Sequence, residues 1–122
     1  MIVAGFGFST RATLASLRDA LAQTGGTPEA LATAHDKAAQ LAPLADDLGL
    51  PLRRVSAEAL TAQDTTTRSA ASQTTRGTGS VAEAAALAAA GPGARLIAPR
   101  TFSSDRLATC ALARSSAQGK TP

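Results

Sequence analysis

The chain opens on an apolar run from Ile2 to Phe6 that ends in Gly5-Phe6-Gly7, and Leu14, Leu17 and Leu21 follow at helical spacing before Gly25-Gly26. This pattern predicts a strand, a glycine turn and a helix. Leu31-Ala32-Thr33-Ala34 predicts a second strand. Asp36-Lys37 then leads into a helix carrying Leu41, Leu44 and Leu48, with Pro43 either in its first turn or kinking it. Asp36 is the N-cap candidate, and Gly49 and Pro51 stop the helix. Leu52-Arg53-Arg54-Val55 predicts a third strand, after which Ser56 caps a short helix through Leu60.

From Thr61 to Arg76 the chain is polar and rich in Thr, Ser and Gln, a loop long enough to be either functional or disordered. Val81 to Ala90 predicts an alanine-rich helix closed by Gly91-Pro92-Gly93. Arg95 to Ala98 reads as a fourth strand and Leu107 to Ala113 as a fifth. The first four strands alternate with helices, which predicts an α/β fold: a single three-layer α/β/α domain, residues 1–113, with a mostly parallel sheet of about five strands. Pro99 to Arg106 contains no helix, so the last strand is expected to return antiparallel and make the sheet mixed. Residues 114–122 are small and polar and are expected to form a flexible tail.

Helix and loop meet most informatively at Arg76-Gly77-Thr78-Gly79-Ser80-Val81-Ala82-Glu83. Ser80 and Glu83 have the spacing of a capping box, in which each side chain takes the other's amide. The glycines allow close backbone approach, and the uncovered amides of a helix N-terminus favour an anion. The segment is therefore either an anion-binding corner or a tight connection into a packed helix.

A chain of 122 residues suffices for one core without disulfides or a metal. Aromatic residues make up 2%, with no Trp or Tyr, so the core must be built from Leu, Ile, Val and many Ala. One cysteine, Cys110, and one histidine, His35, exclude a disulfide framework and a Cys/His zinc cluster, and no cofactor is implied. The cytoplasm is the expected compartment. The N-terminus has no basic leader and no apolar run approaches a membrane span, so neither signal peptide nor membrane partner is expected. Ten of the 12 basic residues are arginine, in a chain of net charge +3. Arginine suits planar carboxylate and phosphate groups, whereas nucleic acid is disfavoured by the lack of a basic block and of an aromatic stacking surface.

In open α/β sheets ligands gather at the carboxyl ends of the strands. Three segments could meet there: Gly5-Phe6-Gly7-Phe8-Ser9-Thr10-Arg11, the Asp64 to Ser69 loop with Arg68, and Arg76 to Ser80. Candidate ligand contacts are Gly5, Gly7, Ser9, Thr10, Arg11, Lys37, Arg68, Ser69, Arg76, Gly77, Thr78, Gly79 and Ser80. The set suits a ligand with several carboxylates or phosphates. The glycine spacing fits neither a dinucleotide fingerprint nor a Walker loop. Catalytic constellations are thin: His35 and Asp64 are the only candidate bases, and Cys110 reads as a small buried hydrophobe. Nothing in the pattern requires an enzyme.

Several segments in order carry a family resemblance: Met1 to Phe8, Leu31 to Lys37, Leu48-Gly49-Leu50-Pro51-Leu52, Gly77 to Leu87, and Thr109-Cys110-Ala111-Leu112-Ala113. The chain resembles the CobE family of cobalamin biosynthesis, which is similar to the C-terminal domain of the CbiG proteins. The resemblance implies an α/β domain acting in corrin ring construction, with a precorrin or corrin intermediate as ligand and other pathway enzymes as possible partners. On the CbiG side the resemblance implies a hydrolase of the anaerobic route that opens the lactone of cobalt-precorrin-5A and releases acetaldehyde, whereas CobE belongs to the aerobic route. Two positions depart from the family pattern. The cations that follow the second glycine are replaced by Phe8-Ser9-Thr10-Arg11, with Arg11 expected to substitute from the first helical turn, and an acidic residue is replaced by Gln40. The expected role is binding or handing over a precorrin intermediate. Alternatives are a lactone hydrolase of the CbiG kind and a docking module for another pathway enzyme.

Overall fold

The computed structural model describes residues 1–61 and 81–115. Five strands form one sheet: β1 (Ile2–Phe8), β2 (Ala30–Ala34), β3 (Leu52–Val55), β4 (Arg95–Phe102) and β5 (Ala108–Arg114), in the order β3-β2-β1-β5-β4. The helices are α1 (Leu14–Thr24), α2 (Ala38–Leu48), preceded by a 3-10 turn at His35–Lys37, α3 (Ala57–Thr61) and α4 (Val81–Ala90). β1, β2 and β3 are parallel, and β5 pairs antiparallel with both β1 and β4. The mixed sheet with an antiparallel last strand is thus observed. The last strand lies inside the sheet, between β1 and β4.

Alternation along the strands divides the core into two faces. Ala4, Phe6, Leu31, Cys110 and Leu112 pack with Leu17, Ala20, Leu41 and Leu44 of α1 and α2. Val3, Ala30, Ala32, Ala34 and Val55 pack with Leu60 of α3 and Ala84 and Ala85 of α4. The helices therefore cover both sides in three layers. Cys110 is a fully buried free thiol on the first face, and burial pushes its pKa up, as a small core hydrophobe requires.

Local chemistry sets the element ends. Thr13 caps α1, its hydroxyl accepting the Ser16 amide while the Ser16 hydroxyl accepts the Thr13 amide, and Gly25 closes the helix at φ 75°. Ser56 accepts the Ala59 amide at 3.1 Å, as its place before α3 predicts. Asp36 stands inside the 3-10 turn, and Lys37, with no side-chain capping bond, occupies the N-cap position of α2 expected for Asp36. Pro43 is the sixth residue of α2, inside the helix and beyond its first turn.

Three boundaries differ from the sequence pattern. Gly7 and Phe8 continue β1, so the first turn comes after them. β4 runs through Pro99 to Phe102, where an ending at Ala98 was expected. Proline is tolerated because β4 is an edge strand whose pairing with β5 is interrupted between Leu96 and Ala98 and again between Ala98 and Thr101. Arg114, placed in the tail by composition, pairs with Ile2 and Arg95, and the Ser115 amide donates to the Met1 carbonyl at 2.9 Å. The 61–76 loop after Thr61, the glycine corner at 76–80 and residues 116–122 lie outside the described residues.

The β4–β5 connection is tied to the start of α1. Asp105 accepts hydrogen bonds from the hydroxyls of Ser103 at 2.6 Å and Ser16 at 2.5 Å and from the Leu107 amide at 3.0 Å, which hold its carboxyl below the ordinary carboxylate range. Asp19 is held low by the Ser104 amide. A carboxyl whose folded-state pKa is depressed adds stability that is complete above its unfolded-state pKa and is lost as pH falls through the folded one. The gap in urea midpoint between wild type and Asp105→Asn is therefore expected to hold from neutrality to about pH 5 and to close below about pH 4. A gap unchanged down to pH 2 would contradict this linkage.

Candidate functional site at the carboxyl edge of the sheet

β1, β2 and β3 end together, and β4, antiparallel to β5 as β1 is, ends on the same side. Chain connections leave β1 toward β2 and return from β3 to β4 at the opposite edge. The switch point of the fold thus lies beside the end of β1, where α/β sheets form their ligand crevice. Ser9–Arg11, His35–Lys37, the N-terminus of α4 and the Ser103–Leu107 turn surround it.

Behind β1 the loop is built as a turn. The Ala12 amide donates to the Ser9 carbonyl at 3.1 Å, the Arg11 amide to the Ser9 hydroxyl at 3.1 Å, and the Ser9 amide to the Leu107 carbonyl at 3.0 Å. Gln40 fastens this turn to α2, its Nε2 donating to the carbonyls of Ser9 at 3.1 Å and Ala12 at 3.1 Å. A carboxylate could not donate these bonds, so Gln40, at a position where the resemblance led to an acid being expected, has a structural task. Ser9, Thr10 and Arg11 are exposed, and Arg11 lies in the turn, three residues before α1, where a place in the first helical turn was expected. Lys37 is half-buried, with Nζ 5.6 Å from the centre of the Phe8 ring. His35 is exposed at the start of the 3-10 turn.

Gly5 and Gly7 sit inside β1 beneath α4. A Cβ on Gly5 would run into the Ala82 carbonyl, the Ala86 amide and, at 2.9 Å, the Ala86 Cβ. One on Gly7 would lie 3.0 Å from Thr109 Oγ1 and 3.3 Å from Val81 Cβ. Both glycines admit the helix to the sheet, so the space before Gly5 is filled by protein. The other sequence-derived candidates, Asp64, Arg68, Ser69, Arg76, Gly77, Thr78, Gly79 and Ser80, lie outside the described residues.

Glu83, in the first turn of α4, is fully buried, and its Oε2 accepts the Arg100 amide at 3.0 Å. Arg100 follows Pro99 in the interrupted part of the ladder, so the bond satisfies an amide that β5 does not take. The sequence assigned Glu83 to the helix cap alone. Beyond it, the guanidinium carbons of Arg100 and Arg106 each lie 4.8 Å from the centre of the Phe102 ring. Neither arginine was among the sequence-derived candidates. The missed signal was alternation: once β4 reaches Phe102, Arg100 and Phe102 share a face.

The family described as cobalamin synthesis G C-terminus matches residues 2–113. The chain belongs to the CbiG C-terminal family. It is a cobalamin biosynthesis protein of the CbiG C-terminal/CobE type. The crystal structure of CobE, a protein from the cobalamin (vitamin B12) biosynthetic pathway, superposes with a TM-score of 0.82 at 32% identity, over 95% of this chain and 91% of that one. Cobalamin biosynthesis protein chiG from Agrobacterium tumefaciens is 41% identical with a TM-score of 0.69, over 95% and 99% of the two chains. The fold also recurs in a cobalamin biosynthesis protein G homologue from Sulfolobus solfataricus, with a TM-score of 0.71 at 21% identity over 94% of this chain and 37% of that longer one. None of the curated protein sequences matches the chain.

Among the described residues of this CbiG C-terminal domain, no group of three or more His, Cys, Asp or Glu is placed to hold a metal ion. Nor is any helix among them long and apolar enough to cross a membrane.

Proposed function

We propose that this CbiG C-terminal domain binds a carboxylate-bearing precorrin or corrin intermediate at the carboxyl edge of its sheet and passes it on unchanged. One observation carries the reading. Arg11, Lys37, Arg100 and Arg106 stand on segments around the switch point, and among the described residues none of them pairs with a carboxylate. Cations without acidic partners at a sheet edge that also presents a helix N-terminus suit an anionic ligand. A corrin precursor carries several acetate and propionate groups around a flat macrocycle, and family membership makes such a molecule the natural ligand.

An open hollow of about 310 Å³ between α3 and the C-terminal end of α4 is the competing location. It is lined by Ala59, Leu87, Ala88 and Gly91 to Ala94, without a charged side chain, and it lies at the opposite edge of the sheet. A polycarboxylate would lose hydration there without gaining partners.

Anaerobic titration of the protein with precorrin and hydrogenobyrinate pigments, followed by visible spectrum and mass spectrometry, tests the proposal. A saturable spectral change with the pigment mass unaltered is expected. Spectra that remain the sum of the components at high protein concentration would contradict binding, and a mass change with acetaldehyde release would replace the carrier reading by a hydrolase of the CbiG kind.

A further inference from the structure

Phe102 is the one aromatic side chain among the described residues that is exposed, at 38%, and it carries two arginines on its ring. Its neighbours place it. Phe102 pairs with Thr109, and Thr109 with Gly7, whose missing side chain makes room for Val81 at the start of α4. Residues paired across strands point to the same face, so Phe102 stands on the α4 side of the sheet at the switch point.

Two features of the cluster are costly unless it has a use. Guanidinium carbons that each lie 4.8 Å from one ring centre are within about 10 Å of each other, roughly one Debye length in 0.1 M salt, so their repulsion is only partly screened. Arg106 is also the one described non-glycine residue with positive φ, at 64°, a conformation that glycine would adopt without strain. That backbone is held by the Arg106 amide donating to the Ser103 carbonyl at 2.9 Å and by the Asp105 bonds on either side. Such strain marks a position whose side chain matters more than its backbone comfort.

We infer that Arg100, Phe102 and Arg106 form a clamp for a peripheral carboxylate of the tetrapyrrole, an assignment that rests on the binding function proposed above. Stacking on a ring uses the flat face of a guanidinium and leaves its N–H edge available, the geometry that takes a carboxylate through paired hydrogen bonds. Phe102 supplies the seat that keeps both forks aimed outward. A carboxylate between them relieves their repulsion, and Glu83, by holding the Arg100 amide, fixes the first fork to α4.

The full chain and its variants are titrated anaerobically with hydrogenobyrinic acid and with its methyl ester, in which the carboxylates are neutral. Arg100→Gln, Arg106→Gly and Phe102→Leu are each expected to weaken binding of the acid by about tenfold or more, and to leave binding of the ester at the wild-type level. Arg106→Gly is expected to keep or raise the thermal midpoint, since glycine relieves the strained backbone, so its loss of affinity cannot come from misfolding. Variants that bind the acid as tightly as wild type would overturn the clamp while leaving the binding function intact. Equal weakening for acid and ester would overturn it as well, by making the residues structural. Wild type that binds neither pigment would overturn both readings. Loss of affinity for a single-stranded oligonucleotide in these variants, with pigment binding unchanged, would reassign the cluster to nucleic acid.

Discussion

Replacing Gly5 with valine is expected to destabilise the protein by more than about 3 kcal/mol, enough to leave much of a marginally stable domain unfolded. β1 is the third strand of five, and α4 lies directly on it, so a side chain at Gly5 has nowhere to turn. Even the Cβ of Gly5→Ala meets the backbone of Ala82 and Ala86, which cannot swing aside as a flexible side chain would. That milder change is expected to cost about 1–3 kcal/mol. Gly25→Ala is the control: nothing lies within 4 Å of the added carbon, and only the left-handed backbone at φ 75° is strained, for about 1–2 kcal/mol. Urea midpoints should rank Gly25→Ala above Gly5→Ala and Gly5→Val lowest. Equal midpoints for Gly5→Val and wild type would show that α4 does not rest on β1.

The second large effect is expected at Glu83. Its carboxylate is fully buried and holds the one strand-edge amide that follows Pro99. Glu83→Ala removes a hydrogen bond to a charged group and leaves a buried hollow, for about 3 kcal/mol. Glu83→Gln keeps a carbonyl that can accept the Arg100 amide and should recover part of that loss. Hydrogen exchange at Arg100 gives the local readout: fast in Glu83→Ala, slowed again in Glu83→Gln. Unchanged exchange in both variants would remove Glu83 from the attachment of β4.

Much of the fold was legible because it is written locally. Leu14, Leu17 and Leu21 repeat at helical spacing, Gly25 and Gly49 stop their helices with left-handed backbones, and the lack of any helix between Pro99 and Arg106 forces the last strand to reverse. What escaped the sequence depends on partners far along the chain. Gly5 and Gly7 look like turn glycines until α4, nearly eighty residues later, is found lying on them. Pro99 looks like the end of a strand, because nothing nearby announces that β4 is an edge with interrupted pairing. No local pattern places β5 between β1 and β4 either, since that order follows from the long return across the α3 and α4 face.

The candidate site divides in the same way. Ser9 to Arg11 and Lys37 were readable because they follow strands directly, and strand ends are where such folds bind. Arg100, Phe102 and Arg106 were not, because the edge strand carrying two of them was drawn too short and the third takes a backbone conformation unusual for arginine. Gln40 stood out in the sequence only as a departure from the pattern the resemblance implies. Its bonds to the Ser9 and Ala12 carbonyls make it the brace of the first loop.

Backbone amide chemical-shift mapping of the protein during titration with hydrogenobyrinic acid tests most directly whether the carboxyl edge holds the ligand. Shifts are expected at Ser9 to Arg11, Lys37 and Arg100 to Arg106, with the apolar hollow at Ala59, Leu87 and Gly91 to Ala94 unperturbed. Shifts confined to that hollow, with the carboxyl edge silent, would contradict the account.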